Sequence, residues 1–140
     1  MGKLAVVGLG LIGGSMALDL KKRLKYQVYG IDKNPEHIKS ALKLGIIDKE
    51  ADFSDLKDIE VVIIAVPVNY IAEVSQKVLD NISDEALVLD VGSVKNNICE
   101  ALNKHPKRQN FVAAHPLAGT EFSGPEAARE NLFDEKVTII

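Results

Sequence analysis

The chain predicts an α/β domain built on a doubly wound parallel sheet, and three observations carry that expectation. Short β-branched runs alternate with helical patterns along the whole sequence. The stretch Val6-Val7-Gly8-Leu9-Gly10-Leu11-Ile12-Gly13-Gly14-Ser15 passes directly from an apolar run into a helical pattern and carries the spacing G-x-G-x-x-G. The residues able to do chemistry then collect at the carboxyl ends of the expected strands, where such sheets bind ligands.

The elements follow in order. Lys3 to Val7 reads as a buried strand, and Ile12, Met16, Leu20 and Leu24 recur every four residues as the apolar face of the next helix. Lys21, Lys22, Arg23 and Lys25 fall where that helix should end, so the reading is a solvated helix end whose cations complement the dipole. Tyr26 to Ile31 is a second strand ending in Asp32. Asn34 then caps a short helix with Pro35 at its first position, an apolar face of Ile38, Ala41 and Leu42, and Gly45 past its end. A short edge strand fits near Ala51 to Phe53.

Val61 to Ala65 is continuously apolar, the pattern of a strand covered on both faces, and Pro67 stops it. Ile71, Val74 and Val78 mark a helix, and Ala86 to Leu89 the next strand. Ser93 is placed as the cap of a helix with Val94, Ile98, Ala101 and Leu102 on one face. Phe111 to Ala114 forms a further strand ending at His115-Pro116. A glycine- and proline-punctuated loop, a polar helical turn around Glu126 to Asn131, and the apolar run Val137 to Ile140 complete the sequence.

Composition narrows the function classes. The 140 residues suffice for one domain, with 46% apolar and 26% charged residues and a net charge of −3. Such a balance gives no global attraction to nucleic acid or an anionic membrane. The single cysteine, Cys99, has no motif partner and reads as a partly buried structural thiol. No apolar run reaches the length of a membrane span and no leader precedes the first strand, so a cytoplasmic location is the default expectation. Val137 to Ile140 ends without cap or polar tail, which suggests an N-terminal domain cut from a longer chain.

Each glycine of the opening stretch has a physical task. Gly8 allows the tight turn off the strand, Gly10 lets the backbone approach a pyrophosphate, and Gly13 lets the helix pack close to the sheet. Leu11 and Ile12 belong to the same segment, where the helix N-terminus offers N–H groups to phosphates. Asp32, nineteen residues after Gly13, is placed to accept hydrogen bonds from both hydroxyls of an adenosine ribose and to repel a 2′-phosphate. That favours NAD over NADP, although the cation of Lys33 beside it tempers the preference. Val66, Pro67, Gly92 and Ser93 sit at later strand ends and join the cofactor-binding set. His115, at the same edge, could take the proton from a substrate hydroxyl as hydride leaves carbon. His37, on a surface helix, and His105, in a basic loop, are assigned no role. No metal-ligand spacing, nucleophile elbow or Walker-type loop occurs.

Several blocks together resemble the prephenate dehydrogenases and their arogenate-specific relatives. They are Val7 to Ser15, Val66-Pro67-Val68, Asp90-Val91-Gly92-Ser93-Val94-Lys95, His115-Pro116-Leu117-Ala118-Gly119-Thr120-Glu121, Ser123 to Ala128 and Leu132-Phe133. The resemblance implies that residues 1–140 are the Rossmann domain of an NAD-dependent enzyme converting prephenate to 4-hydroxyphenylpyruvate in tyrosine biosynthesis. It implies that His115 holds and deprotonates the ring hydroxyl, that Ser93 hydrogen-bonds the same region or orients His115, and that Thr120 and Glu121 border substrate and nicotinamide. It also implies a helical C-terminal domain, absent from these residues, that dimerises the full enzyme and completes the substrate pocket. Other readings are an arogenate dehydrogenase, another NAD(P)-dependent dehydrogenase of related fold such as a β-hydroxyacid enzyme, and a non-catalytic dinucleotide sensor. The sensor would need only the glycines and Asp32.

Overall fold

The computed structural model describes residues 2–92, 96–116, 124–134 and 138–139. Ten elements build the main body: β1 (Lys3–Val7), α1 (Leu11–Leu24), β2 (Gln27–Ile31), α2 (Pro35–Lys43), β3 (Lys49–Glu50), β4 (Val61–Ile64), α3 (Val68–Asn81), β5 (Leu87–Asp90), α4 (Asn96–Leu102) and β6 (Phe111–Ala113). The six strands form one sheet in the order β3-β2-β1-β4-β5-β6, and every neighbouring pair is parallel. The chain winds outward from β1 to β3, then restarts on the other side of β1 at β4. This reversal puts the topological switch point between β1 and β4, and the crevice there opens at the strands' carboxyl ends.

The strand sequences alternate sides as a period of two requires. Ala5, Val7, Val62, Ile64 and Val88 face a core shared with Ile71, Val78, Leu79, Ile98 and Leu102 of α3 and α4. Leu4, Val6, Val28 and Ile63 face the other layer, with Ala17 of α1 and Ile38 and Ala41 of α2. Both faces being covered explains why the central strands read as continuous apolar runs. No helix among the described residues is long and apolar enough to cross a membrane.

Several local expectations change. The four-residue stripe of α1 is only part of its inner face: Met16 and Leu20 pack half-buried against the core, Leu24 is exposed, and the fully buried residues are Leu11, Gly13, Gly14, Ser15 and Ala17. Small residues bring this helix against its neighbours, so contact distance outweighs side-chain size in choosing the inner face. Ile38 and Ala41 of α2 are buried as expected, but Leu42 is exposed, as is Ala101 of α4. The edge strand lies at Lys49–Glu50, and Phe53 instead starts a three-ten helix, Phe53–Asp58, closed by reciprocal Asp52 and Asp55 capping bonds. Asn34 accepts from Glu36 N–H and Gly45 takes φ +72°, so both ends of α2 are as the sequence signals.

His115-Pro116 is not simply a strand end. It forms β7 (His115–Pro116), antiparallel to β8 (Thr138–Ile139), with His115 opposite Ile139. The polar helical turn shrinks to a three-ten turn, Pro125–Ala127, and residues 124–134 lie as a strap across α1 and α2. The basic end of α1 holds that strap and is not merely solvated. Lys22 pairs with Glu130 at 2.7 Å, and Arg23 reaches Asp134 at 2.7 Å and Asn131 at 2.8 Å. Lys21 turns the other way, to Asp48 and the Gly45 carbonyl.

Candidate functional site

The turn between β1 and α1 is built by contacts that tolerate no side chain. Gly8 sits at φ +95°, where a Cβ would stand 2.5 Å from the Ala65 carbonyl oxygen. A Cβ on Gly13 would strike the Gly8 carbonyl and crowd Val6 and Ala65. Gly10 differs, because a Cβ there would meet nothing within 4 Å. The open space over Gly10 belongs to the cleft at the switch point. Gly10 is also the N-cap of α1 and supplies no capping side chain, and no acidic residue occupies the first turn. The N-terminal N–H groups of a 14-residue helix therefore face the cleft at Leu11 and Ile12 without a side-chain acceptor. This cradle fits a pyrophosphate.

Asp32 closes the adjoining wall. Its Oδ2 accepts the Leu9 N–H at 2.9 Å and lies 3.2 Å from His37 Nδ1, while Oδ1 accepts the Asn34 N–H at 2.9 Å. The carboxylate thus fixes the glycine turn and the start of α2 together. Three of its four lone-pair directions are engaged within the protein, so one remains for an incoming hydroxyl while His37 stays in place. Accepting from both hydroxyls of a ribose, as the sequence reading expects, needs a second direction, the one that His37 takes.

The cleft has a volume of about 880 Å³. Gly8, Gly10, Leu11, Ile12, Asp32, Val66 and Pro67 all line it, as the sequence predicts. One wall carries Phe53, Tyr70 and Val74 beside the charged Glu73 and Lys77, with the Lys77 ammonium 5.8 Å from the centre of the Phe53 ring. The Lys33 ammonium lies 4.4 Å from the centre of the Tyr70 ring and is thereby drawn toward that wall. Gly13 and Gly92 do not line the cleft; Gly13 acts on packing, and buried Gly92 turns the chain after β5.

At the other strand ends the organising residue is Asp90. It is fully buried, its Oδ2 accepts from Gly92 N–H at 3.1 Å, and its Oδ1 accepts from Ala114 N–H at 3.2 Å. One carboxylate thus ties the turn leading to Ser93 to the residue before His115. His115 is partly exposed and is not among the described residues lining the cleft. Ser93, Thr120 and Glu121 lie outside the described residues. Among the described residues no group of three His, Cys, Asp or Glu side chains could hold a metal ion.

Two residues passed over in the sequence belong to this site. Asp90 carried a signal, an acid at the end of an otherwise apolar strand, since burying a carboxylate demands partners. His37 carried one too, five residues after Asp32 and one turn into the helix that Asn34 caps. It lines the cleft, half-exposed, between Asp32 and Glu126 of the strap. The Glu126 backbone N–H and the Ser40 hydroxyl hold the Glu126 carboxyl below the usual carboxylate range, and His37 adds to the effect.

Residues 16–140 match the family described as "Prephenate dehydrogenase, nucleotide-binding domain". The prephenate dehydrogenase of Bacillus subtilis is 41% identical over 140 residues, covering 96% of this chain and 38% of that protein. The crystal structure of prephenate dehydrogenase from A. aeolicus in complex with hydroxyphenyl propionate and NAD+ superposes with a TM-score of 0.89 at 37% identity. That match covers 99% of this chain and 49% of the other. Synechocystis arogenate dehydrogenase follows with a TM-score of 0.87 and 33% identity, over 97% of this chain and 48% of that one. The chain therefore spans less than half the length of each of these three relatives.

Proposed function

Because the chain belongs to the prephenate dehydrogenase family, as its nucleotide-binding domain, we propose that it is the cofactor half of an enzyme that oxidatively decarboxylates prephenate to 4-hydroxyphenylpyruvate. The bound dinucleotide supplies the hydride acceptor. Everything else in the step falls to the protein: Gly8, Gly10 and the first turn of α1 hold the pyrophosphate, and Asp32 receives the adenosine ribose. Phe53, Tyr70 and Val74 offer the apolar surface for the adenine ring, with Lys33 and Lys77 beside it. Asp32 favours NAD, because a 2′-phosphate would meet its carboxylate.

His115 holds the ring hydroxyl of the substrate and takes its proton, while Ser93 hydrogen-bonds the same region and Thr120 and Glu121 border it. Asp90 is the positioning residue behind His115 and Ser93. A helical second domain of the full-length enzyme completes the substrate pocket and makes the homodimer, and the setting is the cytoplasm. The observation that carries the dinucleotide reading is Gly10: an open space above a helix N-terminus without side-chain acceptors, beside an acid at the end of β2. Arogenate as substrate is the second reading, favoured by the likeness to the Synechocystis enzyme.

Calorimetric titration tests the first part: these 140 residues should bind NAD. They should turn over prephenate poorly or not at all, and vigorous prephenate-dependent NADH formation by them alone would refute the two-domain reading. The full-length enzyme, assayed with prephenate and with arogenate, tests the reaction and its substrate. Binding of NAD with no dehydrogenation of either compound would favour a dinucleotide sensor.

A further inference from the structure

Discrimination between the two dinucleotides is usually assigned to the acid at the end of β2 alone, yet here that acid has a titratable companion. His37 Nδ1 stands 3.2 Å from Asp32 Oδ2, on the oxygen that also accepts the Leu9 N–H. The Asp32 side chain is 10% exposed and that of His37 37%, so the carboxylate is the enclosed partner and the imidazole the one facing the cleft. The charged groups facing His37 from other elements are Asp32, after β2, and Glu126 of the strap; Glu36 is its neighbour on α2 itself. Lys33, the cation expected to soften the site, lies over the Tyr70 ring in the same cleft, a fixed charge that is common to all the variants compared below.

We infer that His37 is a specificity-determining residue, whose protonation lowers the discrimination of this site against the 2′-phosphate of NADP. The inference rests on the dinucleotide reading of the cleft. Neutral His37 donates Nδ1–H to Asp32 and leaves the full carboxylate charge to repel a 2′-phosphate. Protonated His37 cancels that charge and offers Nε2–H as a donor at the cleft rim. Conditions that protonate His37 therefore lower the ratio of NADP to NAD dissociation constants. The 2′-phosphate itself titrates near pH 6, so a slope remains without the histidine and has to be subtracted.

The test is that ratio, measured by titration of the chain at about pH 5.5 and about pH 8, for the wild type, His37→Gln and His37→Lys. Going from the higher to the lower pH, the wild-type ratio should fall about threefold more than that of His37→Gln, the size expected of a half-exposed charge pair. His37→Lys, charged throughout, should show the low ratio already at the higher pH and share the shallow slope of His37→Gln. Equal slopes for wild type and His37→Gln, or an unchanged ratio in His37→Lys at the higher pH, would overturn the inference while NAD binding leaves the dinucleotide site standing. Failure of all three proteins to bind either dinucleotide would overturn the site and this inference together.

Discussion

The β1-α1-β2 unit and the strap of residues 124–134 hold the same helix from opposite sides, by different physics. On the inner side of α1, position is set by what is missing: side chains at Gly8 and Gly13, where backbone and sheet come too close for a Cβ. On the outer side one such close approach recurs, where a Cβ on Gly14 would stand 2.7 Å from the Ala128 Cβ, and polar bonds are added to it one at a time. Ser15 Oγ accepts from Arg129 N–H at 3.0 Å, Asp19 from Asn131 N–H at 2.9 Å, and Lys22 and Arg23 bind Glu130 and Asp134. Steric exclusion is all-or-none, whereas surface polar bonds are individually weak and salt-screened. The cradle is therefore positioned by exclusion and the strap by packing together with polar bonds, and the strap enters the cleft only at Gly124.

Breaking each side separately should give effects of decreasing size. The largest belongs to the chemistry that both sides serve. In the active enzyme His115→Asn should lower turnover by roughly 10²- to 10⁴-fold, the usual range for a lost general base, with the NAD dissociation constant unchanged. A fall in affinity without a fall in turnover would make His115 a packing residue. On the cradle side, Gly13→Val puts a branched side chain against the Gly8 carbonyl. Urea unfolding should show a loss of roughly 3 kcal/mol, with NAD binding abolished.

On the strap side, Ser15→Ala leaves the Arg129 N–H without its acceptor and should cost about 1 kcal/mol. Hydrogen exchange should quicken at residues 125–134, while NAD affinity holds; equal loss of both would mean that strap and cradle are one unit. The smallest effect concerns Asp48. Burial pushes its carboxyl up, but the Lys21 ammonium and the Val28 N–H outweigh burial and hold it below its ordinary value. A depressed carboxyl contributes stability at neutral pH and loses it as pH falls through the depressed value. Thermal unfolding should place Asp48→Asn slightly below the wild type at neutral pH, with the gap closing below about pH 4.

What was legible in the sequence follows the same division. Asn34-Pro35, Gly45 and the β-branched run of β4 are read correctly because each acts through its own backbone or through neighbours within one turn. The buried face of α1 is legible only in part, because periodicity counts large apolar residues such as Met16 and Leu20, whereas the closest approach of this helix is made through glycine, alanine and serine. His37 was passed over because its partner Asp32 lies in a different element, and nothing in local spacing says which way a half-exposed imidazole turns. The basic end of α1 reads as solvated because the acidic partners of Lys22 and Arg23 come more than a hundred residues later and that of Lys21 lies in another element.

The sequence by itself determined the doubly wound sheet and the glycine turn with Asp32 at the next strand end. These depend on side-chain period and on the absence of a Cβ, properties a residue carries wherever it stands. Only the tertiary structure decided that Asp90 ties the Gly92 turn to Ala114, that His37 shares Asp32 with the Leu9 N–H, and that Lys33 lies against Tyr70. A charged side chain has several partners within reach of its sequence neighbourhood. Which one it takes is settled by the elements that packing brings beside it.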